Sequence, residues 1–340
     1  MASFGKRKGK IASAVTWPEN VTISSATDVG TSRPYLATAN TTSEASAANT
    51  GGAVTLSFSL PTGSATASSY TITTTPATYT VTATSSPYTF QGLASNTAYT
   101  FTIKANNSAG SSSGTTSGSV TATTVPQAPT IGTATNSGSG RAYNNGLATV
   151  AYTAGGDGGK AVSSFTATAS AGGYTASGSS PISVTGLQSA TAYTFTVTAT
   201  NANGTSATSS ASNSITATTV PNTPGAPSAT STVAGQDVVT WSAPADGGSA
   251  ITNYYWASSD AKSGNTTATS VTVTQEQGTA QTYTVRADNA NGSSGTSSAS
   301  NNITTFFSPP SFFGPPAFFS PPSFFGPPSF FGPPSFFGPP

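Results

Sequence analysis

The sequence predicts an all-β chain: three β-sandwiches in tandem, followed by an extended, polyproline II-like C-terminal repeat tail. Three observations carry this prediction. Residues 17–305 alternate Thr, Ser, Val, Ile, Tyr and Phe with a period of two, punctuated by Gly, Asn and Pro, without convincing helical periodicity. Similar segments recur at the spacing of one small β-sandwich domain. Residues 306–340 repeat a six-residue unit built on Phe and Pro pairs.

The longer repeat is visible in the letters of the chain. GLASNTAYTFTIKANNSAGSSS at 92–113 returns as GLQSATAYTFTVTATNANGTSA at 186–207, and a weaker copy, QTYTVRADNANGSSG, lies at 281–295. We take Tyr99, Tyr193 and Tyr283 as the matching positions of the three copies. An upstream strand in each copy supplies one bulky aromatic residue: Phe58, Tyr152 and Trp241.

These residues resemble fibronectin type III domains in tandem, over roughly residues 20–305. The matching features are the Pro-rich entry to each copy, the strand aromatic and a Leu-x5-Tyr corner. They also include an Asn-x-x-Gly turn, at Asn107/Gly110, Asn201/Gly204 and Asn289/Gly292. The resemblance implies that the aromatic and corner residues are core and hydrogen-bonding fixtures.

The resemblance is weaker at two places. A hydroxyl-rich insertion at 38–52 obscures the early strands of the first copy. In the third copy Gln277 stands six residues before Tyr283, where Leu93 and Leu187 precede Tyr99 and Tyr193, so the sequence leaves that corner open.

The run Tyr254-Tyr255-Trp256 places aromatic residues on both faces of one strand. Because neighbours in a strand face opposite sides, Tyr255 cannot share a face with Tyr254 and Trp256. The aromatic side chain that points outward either shields the rim of the sheet or stacks on a sugar ring or a neighbouring subunit.

The expected domain limits follow from composition. TATTVPQAP at 121–129 and TATTVPNTPGAP at 217–228 are Pro-rich linkers, which act as semi-rigid spacers and should arrange the domains as a rod. The predicted units are a basic arm at 1–16, sandwiches at 17–125, 126–221 and 222–305, and the hexapeptide tail at 306–340.

In the tail, each Pro fixes φ and restricts the residue before it, which favours polyproline II with three residues per turn. Every third residue from Ser308 to Gly338 is Ser, Gly or Ala, so one edge of that helix is small throughout. Collagen needs Gly at every such place, which argues against a true collagen triple helix and leaves a looser bundle of extended chains open. The open alternatives are a disordered tail, ordered self-association or docking, and recognition by an SH3-like groove.

The predicted self-association residues are the Phe pairs and part of the small edge: Phe306, Phe307, Ser308, Ser311, Phe312, Phe313, Gly314, Phe318, Phe319, Phe324, Phe325, Gly326, Phe330, Phe331, Gly332, Phe336, Phe337 and Gly338. They predict a homo-oligomer, a trimer or a higher bundle. At the other end of the chain, Lys6, Arg7, Lys8 and Lys10 form a candidate docking arm for an acidic surface, with a solvated, inert end as the alternative.

Composition argues against most chemistry. The chain has no Cys and no His, 6% charged residues and a formal net charge of +1. These numbers argue against Ser-His or Cys-His catalysis, thiolate metal sites and nucleic-acid binding, and no apolar run is long enough for a membrane span. We therefore expect no enzyme activity and no cofactor.

The Ala/Ser/Thr-rich tandem pattern with Phe-Pro repeats resembles bacteriophage virion proteins. This resemblance implies a structural protein, a tail fibre, tail-associated rod or head decoration, assembled in the host cytoplasm and released by lysis. The implied partners are other virion proteins and, as a further class, cell-surface glycans. The alternative is a bacterial extracellular adhesin or matrix filament at the cell surface, for which glycosylation of the Ser/Thr-rich surface is an open question.

Overall fold

A computed structural model of the chain describes residues 15–47 and 49–307. Lys6, Arg7, Lys8 and Lys10 of the arm, and every predicted tail residue from Ser308 onward, lie outside the described residues. Within them, nearly all regular structure is β, and no helix is long and apolar enough to cross a membrane.

The first sandwich contains nine strands and one short helix. Their bounds are β1 Thr22–Asp28, α1 Glu44–Ala47, β2 Gly52–Ser59, β3 Ser69–Thr75, β4 Val81–Ala83, β5 Tyr88–Leu93, β6 Thr97–Asn107, β7 Gly110–Ser111, β8 Thr115–Thr116 and β9 Val120–Ala122. One sheet has the order β1-β2-β5 and the other β4-β3-β6-β7, with β8 and β9 also paired to β6. The hydroxyl-rich insertion lies between β1 and β2 and carries α1.

The second and third sandwiches repeat this order of strands. The second has β10 Thr130–Asn136, β11 Gly146–Thr153, β12 Ser164–Ala169, β13 Thr175–Ser177, β14 Ile182–Leu187, β15 Ala192–Tyr193, β16 Phe195–Asn201, β17 Gly204–Thr205 and β18 Ile215–Thr216. The third has β19 Ser228–Val233, β20 Gln236–Thr240, β21 Ile251–Ser258, β22 Ser263–Thr266, β23 Ser270–Thr274, β24 Ala280–Gln281, β25 Tyr283–Asn289, β26 Gly292–Ser293 and β27 Ile303–Thr304.

Each sandwich has its own apolar core, built from the inward residues of two facing sheets. Period-two alternation places these residues on one side of each strand, and burial of their apolar surface holds the sheets together. The predicted strand aromatics all contact an aromatic partner on the opposite sheet. These pairs are Phe58 with Tyr70, Tyr152 with Phe165, and Trp241 with Tyr254.

The predicted tyrosine corners are confirmed in the first two sandwiches. The hydroxyl of Tyr99 accepts a hydrogen bond from the Ala94 N–H at 3.0 Å, and that of Tyr193 accepts one from the Gln188 N–H at 3.1 Å. Both rings are almost fully buried. Each corner therefore ties the start of a long central strand to the loop that precedes it.

The matching of Tyr283 to those two tyrosines was wrong. Tyr193 pairs with Ile215, and the residue that pairs with the equivalent Ile303 is Gln281. Tyr283 lies two residues further along, at the place of Phe101 and Phe195. Its buried hydroxyl donates to Asp237 Oδ2 at 2.7 Å and accepts from Gln275 Nε2 at 3.0 Å. The third sandwich thus replaces the corner with a buried polar network.

In the second and third sandwiches, serine residues supply hydrogen-bond partners to one edge of a long strand, β16 in the second and β25 in the third. After β17, the chain runs beside β16 without forming a continuous strand. The Ser209 N–H donates to the Val197 C=O at 2.9 Å, and the Ser209 hydroxyl accepts from the Val197 N–H at 2.9 Å. One serine thereby satisfies both backbone groups of one strand residue.

This pattern recurs at every third residue, and we call it the serine ladder. Ser206, Ser209 and Ser212 bond Ala199, Val197 and Phe195 of β16. In the third sandwich, Ser294, Ser297 and Ser300 bond Ala287, Val285 and Tyr283 of β25 in the same way. The first sandwich uses two such serines, Ser112 and Ser117, around the backbone pairing of β8.

An asparagine follows each complete ladder and joins it to the first strand of its sandwich. The Asn213 side chain accepts from the Ala134 N–H at 2.8 Å and donates to the Ala134 C=O at 3.0 Å. Asn301 makes the same two bonds to Ala229, both at 2.9 Å. The amide group thus takes the place of a neighbouring strand.

We expect Ser209→Ala to lower the free energy of unfolding by about 1–3 kcal/mol, because the buried Val197 N–H would lose its acceptor. Urea unfolding followed by circular dichroism measures the change. Ser210→Ala is the matched control, since Ser210 is exposed and lies beside the ladder. Equal effects of the two substitutions would contradict the role of the ladder.

We also expect Tyr99→Phe to cost about 1 kcal/mol at pH 7, through loss of the bond to Ala94. Burial raises the pKa of the Tyr99 hydroxyl above its ordinary value. Above about pH 10 the unfolded chain therefore loses protons that the folded chain keeps, and stability falls as pH rises. The variant should lose less stability than the parent between pH 9 and about pH 11 in urea titrations. An identical decline in both proteins would refute this explanation.

Candidate functional site at the domain junctions

The linkers between sandwiches are bound on both sides by hydrogen bonds. In the first linker, the Thr124 carbonyl accepts from the side-chain amides of Asn201 and Asn203, at 2.9 and 3.0 Å. In the second, the Thr219 carbonyl accepts from Asn289 and Asn291, at 2.8 and 3.0 Å. The turn at the end of each following sandwich therefore fixes the linker that leads into it.

Backbone hydrogen bonds add a contact from each neighbouring sandwich. The Thr124 N–H donates to the Gly158 C=O at 2.8 Å in the following sandwich, and the Val125 N–H donates to the Arg33 C=O at 3.0 Å in the preceding one. The second junction repeats these bonds: Thr219 donates to Gly247 at 2.9 Å and Val220 to Arg141 at 2.9 Å. Two loops hold the linker between them.

A third bond joins the two sandwiches directly. The Ser32 N–H donates to the Asn203 C=O at 2.7 Å, and the Gly140 N–H donates to the Asn291 C=O at 2.8 Å. The same loop of the preceding sandwich thus meets the same turn of the following sandwich at both junctions. A repeated set of contacts of this kind gives both junctions the same geometry.

Glycine is required where the following sandwich meets the linker. Gly158 has φ 71° and Gly247 has φ 73°, in the left-handed region that glycine adopts without strain. A Cβ at Gly158 would lie 2.5 Å from the Thr124 and Val125 carbonyl oxygens, and one at Gly247 would lie 2.5 Å from that of Val220. The Asp-Gly-Gly loops therefore bring backbone against backbone.

Arg33 stabilises the loop that contacts the first linker. Its guanidinium donates to the Gly51 and Thr50 carbonyls, each at 2.8 Å, and to Gln91 Oε1 at 3.0 Å. Burial lowers the pKa of this guanidinium from its ordinary value, yet arginine stays protonated at neutral pH. The charged guanidinium thus holds the loop that contacts the linker.

The end of the first sandwich that bears the Asn107–Gly110 turn carries part of the same junction. The Asn107 side chain donates to the Thr16 carbonyl at 2.8 Å, as Asn201 does to Thr124. Trp17 packs over Gly110, where Val125 packs over Gly204. Ala109 stands where the second and third sandwiches have Asn203 and Asn291. Thr16-Trp17-Pro18 therefore occupies a linker site, and Trp17 remains 67% exposed.

The end of the third sandwich where the chain leaves at Phe306 departs from the junction pattern. The Phe306 N–H donates to Ser231 Oγ at 2.7 Å, at the place where the Thr123 and Thr218 N–H groups donate to Asp28 and Asn136. A tight β19–β20 hairpin replaces the loops that carry Arg33 and Arg141. Among the residues that the structure describes, the contacts that receive a following sandwich are therefore missing at this end.

Of the predicted self-association residues, the structure describes Phe306 and Phe307. They follow β27 at the register of Thr218 and Thr219 in the second linker, and they are 47% and 56% exposed. Beneath them, the Thr305 hydroxyl donates to Asp237 Oδ2 at 3.2 Å and so joins the buried network of Tyr283. Burial raises the pKa of that tyrosine hydroxyl. The first tail residues thus leave a well-anchored point.

Sequence reasoning missed the second asparagine of each junction and the Asp-Gly-Gly loops. The signal was present: Asn-Ala-Asn-Gly at 201–204 and 289–292, and Asp-Gly-Gly at 157–159 and 246–248. Among residues 15–47 and 49–307, no group of three potential metal ligands is found. At these sites, side-chain amides and backbone groups hold successive domains in one orientation.

A comparison with family models matches residues 41–123 to the fibronectin type III domain. Among solved structures, the FN1–FN3 domains of chicken CNTN1 align with 86% of this chain and 100% of theirs, at 16% identity and a TM-score of 0.28. A structure of titin kinase and its flanking domains aligns with 25% of this chain and 17% of that one, at 30% identity and a TM-score of 0.24. No curated protein sequence matches the chain.

We expect Asn289→Ala to loosen the second junction, because the buried Thr219 carbonyl would lose one of its two amide donors and the Asp246 carbonyl would lose the Asn289 donor. The loss should amount to about 1–3 kcal/mol and should speed amide exchange at Thr219 and Val220. Hydrogen-exchange mass spectrometry measures it, with the exposed Asn302→Ala as the control. Unchanged exchange in the linker would contradict the assigned role.

The matched segment lies within the first sandwich, and the second and third sandwiches repeat its strand order. The described part of the chain is a tandem array of fibronectin type III-like sandwiches.

Proposed function

We propose that this chain is a non-enzymatic structural protein of a phage virion: a tail fibre, a tail-associated rod or a head decoration. The observation that carries the structural role is the repeated junction. Because the same bonds hold both linkers, the three sandwiches project as one rod of defined length and not as beads on a flexible string.

Self-association through the hexapeptide tail is the second part of the proposal. The tail begins at Phe306 and Phe307, two exposed aromatic residues on a fixed exit point. Ten further phenylalanines follow in residues 312–337 with no apolar core of their own in the sequence pattern. Apolar residues on this scale without a core of their own would mark an interaction site, and a trimer or a higher bundle of chains would bury them.

Attachment is the third part. Lys6, Arg7, Lys8 and Lys10, which precede the exposed Trp17 in sequence, would dock on an acidic surface of other virion proteins. The virion itself, as the place of action, rests on the resemblance of the Ala/Ser/Thr-rich tandem pattern with Phe-Pro repeats to phage structural proteins.

A bacterial extracellular adhesin or matrix filament is the second candidate. The observation that favours it is the outer surface, which is dominated by Ser and Thr hydroxyls open to glycosylation. Intact mass of native material separates the two: heavy glycosylation would favour the cell-surface role, and an unmodified mass would favour the virion.

We expect the full chain to be oligomeric and a chain ending at Thr305 to be monomeric, because the truncation removes all twelve tail phenylalanines. Multi-angle light scattering over a range of concentrations measures both. If both proteins are monomers at high concentration, the tail does not mediate assembly.

The geometry of the tail adds a sharper comparison. Gly326→Leu or Gly332→Leu would place bulk on the small edge, where the chains should meet, and each should weaken assembly more than Phe318→Ala. The reverse order would place the phenylalanines, and not the small edge, at the contact between chains.

A further inference from the structure

The third sandwich differs from the other two on the outer face of its larger sheet. Strand β21 directs Tyr254 into the core, and Trp256 packs against the same core from the inner side. Tyr255 therefore points outward, as the alternation predicts. Its ring lies 4.6 Å from Cζ of Arg286 on the neighbouring strand β25.

The other sandwiches have no aromatic side chain and no arginine at the same register. Tyr255 pairs with Arg286 in the third sandwich, whereas the equivalent pair is Thr166 with Thr198 in the second and Thr71 with Lys104 in the first. Two residues along on the same face, Asn253 pairs with Asp288, and the second sandwich has Ser164 with Thr200. Because two sandwiches of the same fold have other residues at these positions, folding does not require the tyrosine, arginine and aspartate.

These outward side chains form a connected polar network. Arg286 Nε lies 3.5 Å from Asp288 Oδ1, and Asn253 Nδ2 lies 3.4 Å from Asp288 Oδ2. Asn253 Nδ2 also donates to Asn265 Oδ1 on β22 at 3.0 Å. The terminal guanidinium nitrogens of Arg286 make no hydrogen bond within residues 15–47 and 49–307. The network is therefore held in place with donors left to offer to a ligand.

The chemistry of this face fits a sugar. A pyranose ring has an apolar C–H face that suits an aromatic ring, and a rim of hydroxyls that suits planar amide, carboxylate and guanidinium groups. Arg286 and Asp288 have opposite charges, so the network has no net charge and favours a neutral ligand. The flanking outward residues, Ala257 and Thr284, are small, so Tyr255 is the aromatic platform of this patch.

We propose that the outer face of β21, β22 and β25 binds a neutral saccharide. The Tyr255 ring packs against the C–H face of one sugar residue, with Arg286 fixing the ring from its other side. The hydroxyls of the sugar bond the polar network of Asn253, Asn265, Arg286 and Asp288. This activity is independent of tail-mediated assembly and would give the projected rod its attachment to a surface.

The test compares the full chain with the double variant Tyr255→Thr, Arg286→Thr on a printed array of neutral bacterial and eukaryotic oligosaccharides. The variant carries the threonine pair of the second sandwich, so its fold should be unchanged, and its unfolding midpoint confirms this. We expect the parent to bind a neutral glycan and the variant to bind it at least about tenfold more weakly. Thr166→Ala, Thr198→Ala in the second sandwich is the matched control and should bind as the parent does.

Three results would overturn the proposal: no glycan bound by the parent, equal binding by the double variant, or binding that survives periodate oxidation of the printed sugars. Light scattering on the same samples keeps the two proposals apart. Loss of glycan binding with assembly intact concerns this face alone, and loss of assembly with glycan binding intact concerns the tail alone.

Discussion

The rest of this structure depends on one constraint: the backbone groups along one edge of β16 and of β25 need hydrogen-bond partners. Buried N–H and C=O groups need partners, and in the second and third sandwiches the chain beside that strand has no continuous ladder of its own. Serine at every third residue solves the problem, since its N–H and its hydroxyl satisfy both groups of one strand residue. The path of the last segment in these two sandwiches is therefore fixed by side chains.

That path determines where the chain leaves each sandwich. The serine ladder ends at Ser212 and Asn213, and the chain continues through β18 into Thr218, Thr219 and Val220 of the linker. The linker then enters the contacts of Asn289 and Gly247. The second junction thus continues an intradomain hydrogen-bond pattern into the next domain. The first sandwich reaches the same junction bonds through the backbone pairing of β8 and β9 with β6.

The sequence predicted the parts of this molecule that depend on local pattern. Alternation gave the strands, the strand aromatics were found in contact across the sheets, and the Tyr99 and Tyr193 corners formed as expected. It predicted an extended rod from Pro-rich linkers, but the linkers are held chiefly by Asn amides and Gly-Gly backbone from the following domain. Those partners lie far away in sequence, so composition alone could not supply them.

The sequence did not reveal the serine ladder or the register of Tyr283. Serine is so common in this chain that the three-residue period of Ser206, Ser209 and Ser212 did not stand out from its surroundings. In the third copy, Tyr283 was two residues out of register with Tyr193, and the spacing of tyrosines alone could not reveal the shift. The tyrosine corner shared by the first two sandwiches was easier to predict than its replacement in the third.

The most direct test of the central claim is the distance between two equivalent points on consecutive sandwiches. Because the chain has no cysteine, Ser85→Cys and Ser179→Cys introduce a single pair of spin labels at matching exposed loops. Double electron–electron resonance should give one narrow distance distribution for a junction held by the bonds described above. A broad distribution in the folded protein would mean that the linkers are flexible and that the sandwiches do not form a rod.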